Sequence, residues 1–228
     1  VETTGASPST SNTATFTINS SGTPAITATT LPAFGAECIY GGPYGPQMLT
    51  ITGTNLTTAD VTVAALSGFT YSTTAGGTYT TSLALTQPGG SYTQDLYVKF
   101  SPTAIASYNG NIVIGGGGAS SVNKATSASG IDVAPVVTTG AASTITVSTA
   151  TVAGTLNVTG ACGTVSAYGI EYSTTMGFAN GTGTAVASTN LSGTAFSSAL
   201  TGLAPCTTYY THAYATRTAG TTYGTESS

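Results

Sequence analysis

Apolar residues recur at every second position in one short run after another along this chain. Gly- and Pro-bearing turns break each run within about ten residues. Period-2 patterning of this kind suits a half-buried strand, and no stretch shows the 3.6-residue period of an amphipathic helix. The first run is "TATFTIN" at 13–19, with Ala14, Phe16 and Ile18 on one face and Thr13, Thr15 and Thr17 on the other. Further strands are expected around Ile26–Thr29, Met48–Gly53, Val61–Ala65, Phe69–Ser72, Ser82–Thr86, Tyr92–Phe100, Asn111–Ile114 and Ser121–Ser129. A second series follows near Val136–Thr139, Thr144–Val147, Val152–Thr159, Ala167–Ser173, Gly183–Ser188, Ala195–Ala199 and Thr207–Thr218. Turn signals such as "GGPYGP", "QPGG" and "GGGG" stand between them. Even spacing without helices predicts β-sandwiches.

Composition narrows the function classes. Only 4% of the 228 residues are charged, 40% are hydrophobic and the net charge is −4. Disorder goes with low hydrophobicity and high net charge, so it does not fit. No apolar run approaches the ~18 residues of a membrane helix, so no membrane insertion is expected. Three basic residues are too few to neutralise a row of phosphates, which argues against nucleic acid. A surface so poor in charge repels its own copies weakly, a property useful to a polymer subunit.

The strand series divides the chain into an N-terminal extension (1–23) carrying the strand at 13–19, a first sandwich (24–131) and a second (132–228). "IDVAP" at 131–135 is the expected linker. Near the C-terminus, "LAPCTTYYTHAYATRTAG" resembles the end of a fibronectin type III or related immunoglobulin-like domain, with Leu203, Pro205, Thr207 and Tyr209 on the family pattern. Ala213 and Ala215 continue the inward register. The resemblance implies that Tyr209 is the tyrosine-corner residue. The chain has no Trp, so Leu156 and Val158 are expected to fill the space of the family's core Trp. In the first half, "LTITGTNL", "GGTYTTSLAL", "LYVKFSP" and "SYNGNIVI" resemble immunoglobulin-like repeats of large secreted surface proteins of Bacteroidota-type bacteria. Together the resemblances imply an extracellular, cell-surface scaffold of bacterial origin.

Such a domain has seven strands, and "YYTHAYATRT", the last run of the second series, is read as the family's sixth. "AGTTYG" then reads as a turn, and "TESS" barely begins a seventh. The expected fold is therefore all-β, two tandem immunoglobulin-like sandwiches, the second lacking its last strand. A sandwich open in this way leaves core and backbone groups exposed. The surplus strand with Ala14, Phe16 and Ile18 is the expected donor from the next molecule, as in β-strand addition. Three arrangements fit the pattern: a head-to-tail homopolymer, adjacent repeats of one polypeptide cut out of phase, or truncation.

Few residues suggest chemistry. Cys162 and Cys206 share the second unit, and a disulfide between them would contribute about 3–4 kcal/mol in the chain-entropy account; the alternative is two thiols. Cys38 has no partner in its own unit. His212 is expected to point outward with Tyr210 and Tyr214 as an exposed contact stripe, for a neighbouring protein or, less favoured, a surface glycan. The seven carboxylates are scattered, and "GGGG" at 115–118 lacks the Lys-Ser/Thr and helix of a phosphate loop. Catalytic residues, a metal site and a cofactor are therefore not expected. The expected function is a structural subunit or repeat of an extracellular fibre or adhesin, whose partners are copies of itself. The alternative is a non-catalytic accessory region of a larger secreted enzyme, with carbohydrate binding as one role open to it.

Overall fold

A computed structural model describes residues 22–228. The donor positions Ala14, Phe16 and Ile18 lie outside the described residues. In chain order the strands are β1 (Ala25–Ala28), β2 (Gly35–Cys38), β3 (Tyr44–Leu56), β4 (Val61–Val63), β5 (Phe69–Ser72), β6 (Leu83–Leu85), β7 (Gly90–Phe100), β8 (Gly110–Gly116), β9 (Ala119–Thr126) and β10 (Ala128–Ile131). They continue with β11 (Val136–Ser143), β12 (Thr149–Asn157), β13 (Val165–Ser173), β14 (Thr184–Ala187), β15 (Ala195–Thr201), β16 (Tyr210–Arg217) and β17 (Gly220–Tyr223). No helix occurs among the described residues.

Two four-stranded sheets, ordered β1-β3-β7-β5 and β6-β4-β8-β9, enclose the first core. Alternation in the central strands fills it. Leu49 and Ile51 of β3, Leu96, Val98 and Phe100 of β7, and Ile112 and Ile114 of β8 are all buried. Phe34, Phe69 and Phe100 cluster with ring centroids 5.0–5.7 Å apart, close to edge-on and offset geometries that aromatic pairs favour. Beside the sheets, β2 runs parallel to β10, with Cys38 opposite Ile131.

The second core lies between β11-β12-β15 and β14-β13-β16-β17. This three-on-four, seven-strand arrangement is immunoglobulin-like. Val152 and Leu156 of β12, Ile170 of β13, Leu200 of β15 and Ala213 and Ala215 of β16 face inward. Leu156 is buried, but Val158 is 51% exposed and fills nothing. The bulk comes instead from Phe196. Its ring lies flat over Gly154, where a Cβ would strike it, and Tyr168 meets it edge-on at 5.2 Å.

The expectation of a missing last strand is corrected here. The turn is Thr218–Ala219, and "GTTY" is not turn but β17, paired antiparallel with β16 from Tyr214↔Tyr223 to Arg217↔Gly220. Below it, Gly224 N–H donates to Ala213 O, and Thr211 and Ser227 exchange backbone hydrogen bonds of 2.7 and 3.0 Å. The outer edge of β16 is thus satisfied by the chain itself. Threonines carry this strand with a single large side chain, so no apolar alternation announces it. The expected strand at Thr144–Val147 is likewise absent, because Thr144 turns the chain with φ 49°.

Candidate functional site

Three places gather unusual side chains. The first is the junction between the sandwiches. β2 ends beside the last residue of β10, so Cys38 stands where the chain leaves the first sandwich. Cys162, in the loop between β12 and β13, bonds covalently to Cys38 across 124 residues of sequence. The expected Cys162–Cys206 bridge is therefore corrected. Cys206 is an exposed free thiol in the loop between β15 and β16. It sits at the opposite end of the sandwich from Cys162, separated by roughly the ~30 Å length of β12, where a bridge tolerates about 7 Å between Cα atoms.

The rest of the junction is built around one buried cation. Arg217, the last residue of β16, places Nη1 on Asp132 Oδ1 of the linker and donates to Cys162 O at 3.1 Å. Its guanidinium lies over the Tyr40 ring of the first sandwich at 5.9 Å. The hydrogen bond to Asp132 holds the Arg217 ionisation above its usual range, so the cation is permanent. Cys162 N–H donates to Val133 O at 2.7 Å. One covalent bond, one buried ion pair and one backbone hydrogen bond therefore meet at a single end of each sandwich. A buried ion pair adds orientation more dependably than stability. Asp132, Arg217 and Tyr40 were not singled out in the sequence. The one available signal was an acid in the linker of a chain with only three basic residues.

The second place is the outer face of β16. Tyr210, His212 and Tyr214 share that face, but they do not form an exposed stripe: His212 is 7% and Tyr214 9% exposed, with only Tyr210 partly open. The segment 174–183 folds over them, setting Phe178 against His212 at 4.6 Å between centroids. His212 Nδ1 lies 3.1 Å from Gly224 O, so Nδ1 carries the proton and donates. Nε2 then faces Glu226 Oε2 at 3.9 Å. Glu171, opposite His212 in the ladder, is buried and accepts N–H bonds from Gly181 and Gly183 at 3.0 and 2.6 Å. Glu226 accepts one from Gly177 at 2.8 Å. Burial, then the charge of Glu171, pushes up the ionisation of Tyr214 and Tyr223. Both carboxylates are spent on holding the covering segment. Among the described residues no three His, Cys, Asp or Glu side chains converge on a metal position.

Tyr209 stands one residue before β16, and its hydroxyl accepts the Ala204 N–H at 2.9 Å, closing the preceding loop. Tyr108 does the same in the first sandwich, accepting from Thr103 and Ala104 N–H at 3.0 Å each. The hydrogen bonds with Thr103 lower its ionisation. That second corner was missed, although Pro102 before Tyr108 parallels Pro205 before Tyr209.

The third place is a groove of about 450 Å³ at the end of the second sandwich remote from the junction. Ala142, Val152, Leu200 and Leu203 are among the apolar residues lining it, with Ile145 and Val147 at its rim. The rim side chains are 72% and 78% exposed. Cys206, Tyr209, Ser227 and Ser228 also line it, and no Asp, Glu, Lys or Arg side chain does.

Comparison with known proteins returned no matching family model and no matching curated protein. Among solved structures, a purple acid phosphatase from yellow lupin (Lupinus luteus) seeds aligns at 16% identity and TM-score 0.27, over 89% of this chain and 40% of its own. The chain thus spans less than half of that enzyme. A run of titin domains aligns at 12% identity and TM-score 0.31, over 80% of this chain and 73% of its own. A chimeric titin Z1Z2 aligns at 12% and 0.30, over 89% and 94%. At these scores the likenesses add nothing to the immunoglobulin-like fold read from the sheets themselves.

Proposed function

We propose that this chain is a structural module of an extracellular, surface-displayed fibre or adhesin of bacterial type. Units join head to tail, with residues 13–19 of one docking on the second sandwich of the next. The observation that carries this reading is polarity. β1 begins opposite Thr54, at the end of β3 remote from the junction, so the N-terminal segment leaves the first sandwich at one pole. The apolar groove opens at the other pole. Between them the junction is fastened by Cys38–Cys162 and Arg217–Asp132, which suits a part that transmits tension. A disulfide fits an oxidising compartment, and a 4% charged surface favours association.

Negative-stain microscopy of the 228-residue chain tests this, with and without residues 1–21. Fibres from the full chain that vanish on deletion support the reading. Fibres indifferent to the deletion, or their absence from the full chain, overturn it.

A further inference from the structure

The closed edge of β16 raises the question of where a joining strand could sit. We propose that the groove at the free end of the second sandwich seats residues 13–19 of a second copy, with Phe16 and Ile18 entering it as apolar knobs. This rests on the head-to-tail reading above and moves the joint from a missing strand to a mouth between the sheets.

Four observations point to that occupant. The groove is apolar and carries no charged side chain, and "TATFTIN" is likewise uncharged, with Glu2 the only charge before residue 22. Water leaves both surfaces when they meet, without desolvating a charged side chain. The spacing also suits: alternate residues of an extended strand stand about 7 Å apart on one face, so Phe16 and Ile18 enter together while Thr13, Thr15 and Thr17 stay wet. A backbone partner is present, since β11 ladders to β12 alone. Of β11, Ala142 lines the groove, and the extra strand would add beside it.

Reach decides between the chain's own segment and a neighbour's. Ile18 lies four residues before Gly22, which allows about 14 Å at full extension. Its own groove lies beyond both sandwiches: β3 has 13 residues and β12 has 9. Laid end to end at about 3.3 Å per residue, they span roughly 70 Å. The segment cannot fold back that far, so the groove it fills belongs to another copy. Contacts of this kind are heterologous and do not close on themselves, which yields filaments.

Disulfide trapping in the full chain tests the seat. In a Cys206→Ser background, Val147→Cys or Ile145→Cys on the rim is combined with Phe16→Cys or Ile18→Cys on the segment. The expected result is an oxidant-dependent ladder of dimers, trimers and higher species on a non-reducing gel, lost when Thr17→Cys replaces the segment cysteine. No ladder from any of the four combinations, or an equal ladder from Thr17→Cys, overturns the seat. If the unaltered chain still forms fibres, the joint lies elsewhere and the head-to-tail reading survives. A ladder without fibres leaves the seat standing and removes the fibre. Unfolding midpoints equal to the parent's, expected for substitutions at exposed rim positions, exclude misfolding as the cause of a missing ladder.

Discussion

Single side chains in this protein repay attention where burial and hydrogen bonding disagree. Tyr71 is fully buried in the first core, and its hydroxyl has no partner. Burial pushes its ionisation up to about 12, against about 10 for a free phenol. Between those values the unfolded chain has lost a proton that the folded chain keeps. The stability that neutral Tyr71 contributes is therefore complete below pH 10 and is lost as pH rises through about 12. Tyr71→Phe should remove that alkaline loss, leaving a flatter stability profile between about pH 10 and 12. At neutral pH it should leave the protein as stable or raise stability by about 1 kcal/mol, since an unsatisfied hydroxyl leaves the core. Denaturant melts at pH 7 and pH 11 check both. Arg217 is a mixed case, a buried cation whose Nη1 is paired while its Nε has no partner. Arg217→Ala strands Asp132 beside the disulfide and should cost about 3 kcal/mol, read as a lower urea midpoint. Nothing in the local sequence marked Tyr71 as unpartnered, because the neighbours that fail to reach its hydroxyl come from distant strands.

Strands with strong apolar alternation were legible. β7 and β8 carry Leu, Val, Ile and Phe at every second position, and both form close to where that pattern lies. Strands lacking it were not. β2 ("GAEC"), β10 ("ASGI") and β17 ("GTTY") exist because a neighbouring strand offers a ladder, not because their own residues demand burial. Losing sight of β17 produced the idea of an open sandwich. Gly154 shows the converse, a residue whose meaning is set by a neighbour across the sheet. It leaves room for the Phe196 ring, the bulkiest side chain of this core. Gly154→Ala should therefore overpack this core and cost about 1–3 kcal/mol, although it removes a flexible glycine from a strand. Thermal unfolding that shifts upward instead would show that Phe196 relaxes without penalty.

For the molecule as a whole, the junction is what fastens the two sandwiches to each other. A bridge spanning 124 residues encloses most of the first sandwich, and the chain-entropy account gives up to about 5 kcal/mol for a loop of that size. Cys38→Ser combined with Cys162→Ser should lower the unfolding midpoint. It should also broaden the interparticle distance distribution in small-angle X-ray scattering, as the sandwiches pivot about residues 132–135. A distribution unchanged by the substitutions would mean that the ion pair and backbone hydrogen bonds hold the angle alone.

Period-2 alternation and turn punctuation were enough to establish an all-β chain of sandwiches, because burial on one face of a pleated strand is written locally. Cysteine pairing, the cover over His212 and the seventh strand of the second sandwich lay beyond that reach. Each depends on which distant segments are brought side by side. Cys38 meets Cys162 because β2 and β10 run parallel to the junction, and Phe178 shields His212 because Glu171 grips the covering segment. β17 forms because β16 presents an unpaired edge next to it. Contacts assembled from residues far apart in sequence exist only once the chain has folded, so no spacing along the sequence encodes them.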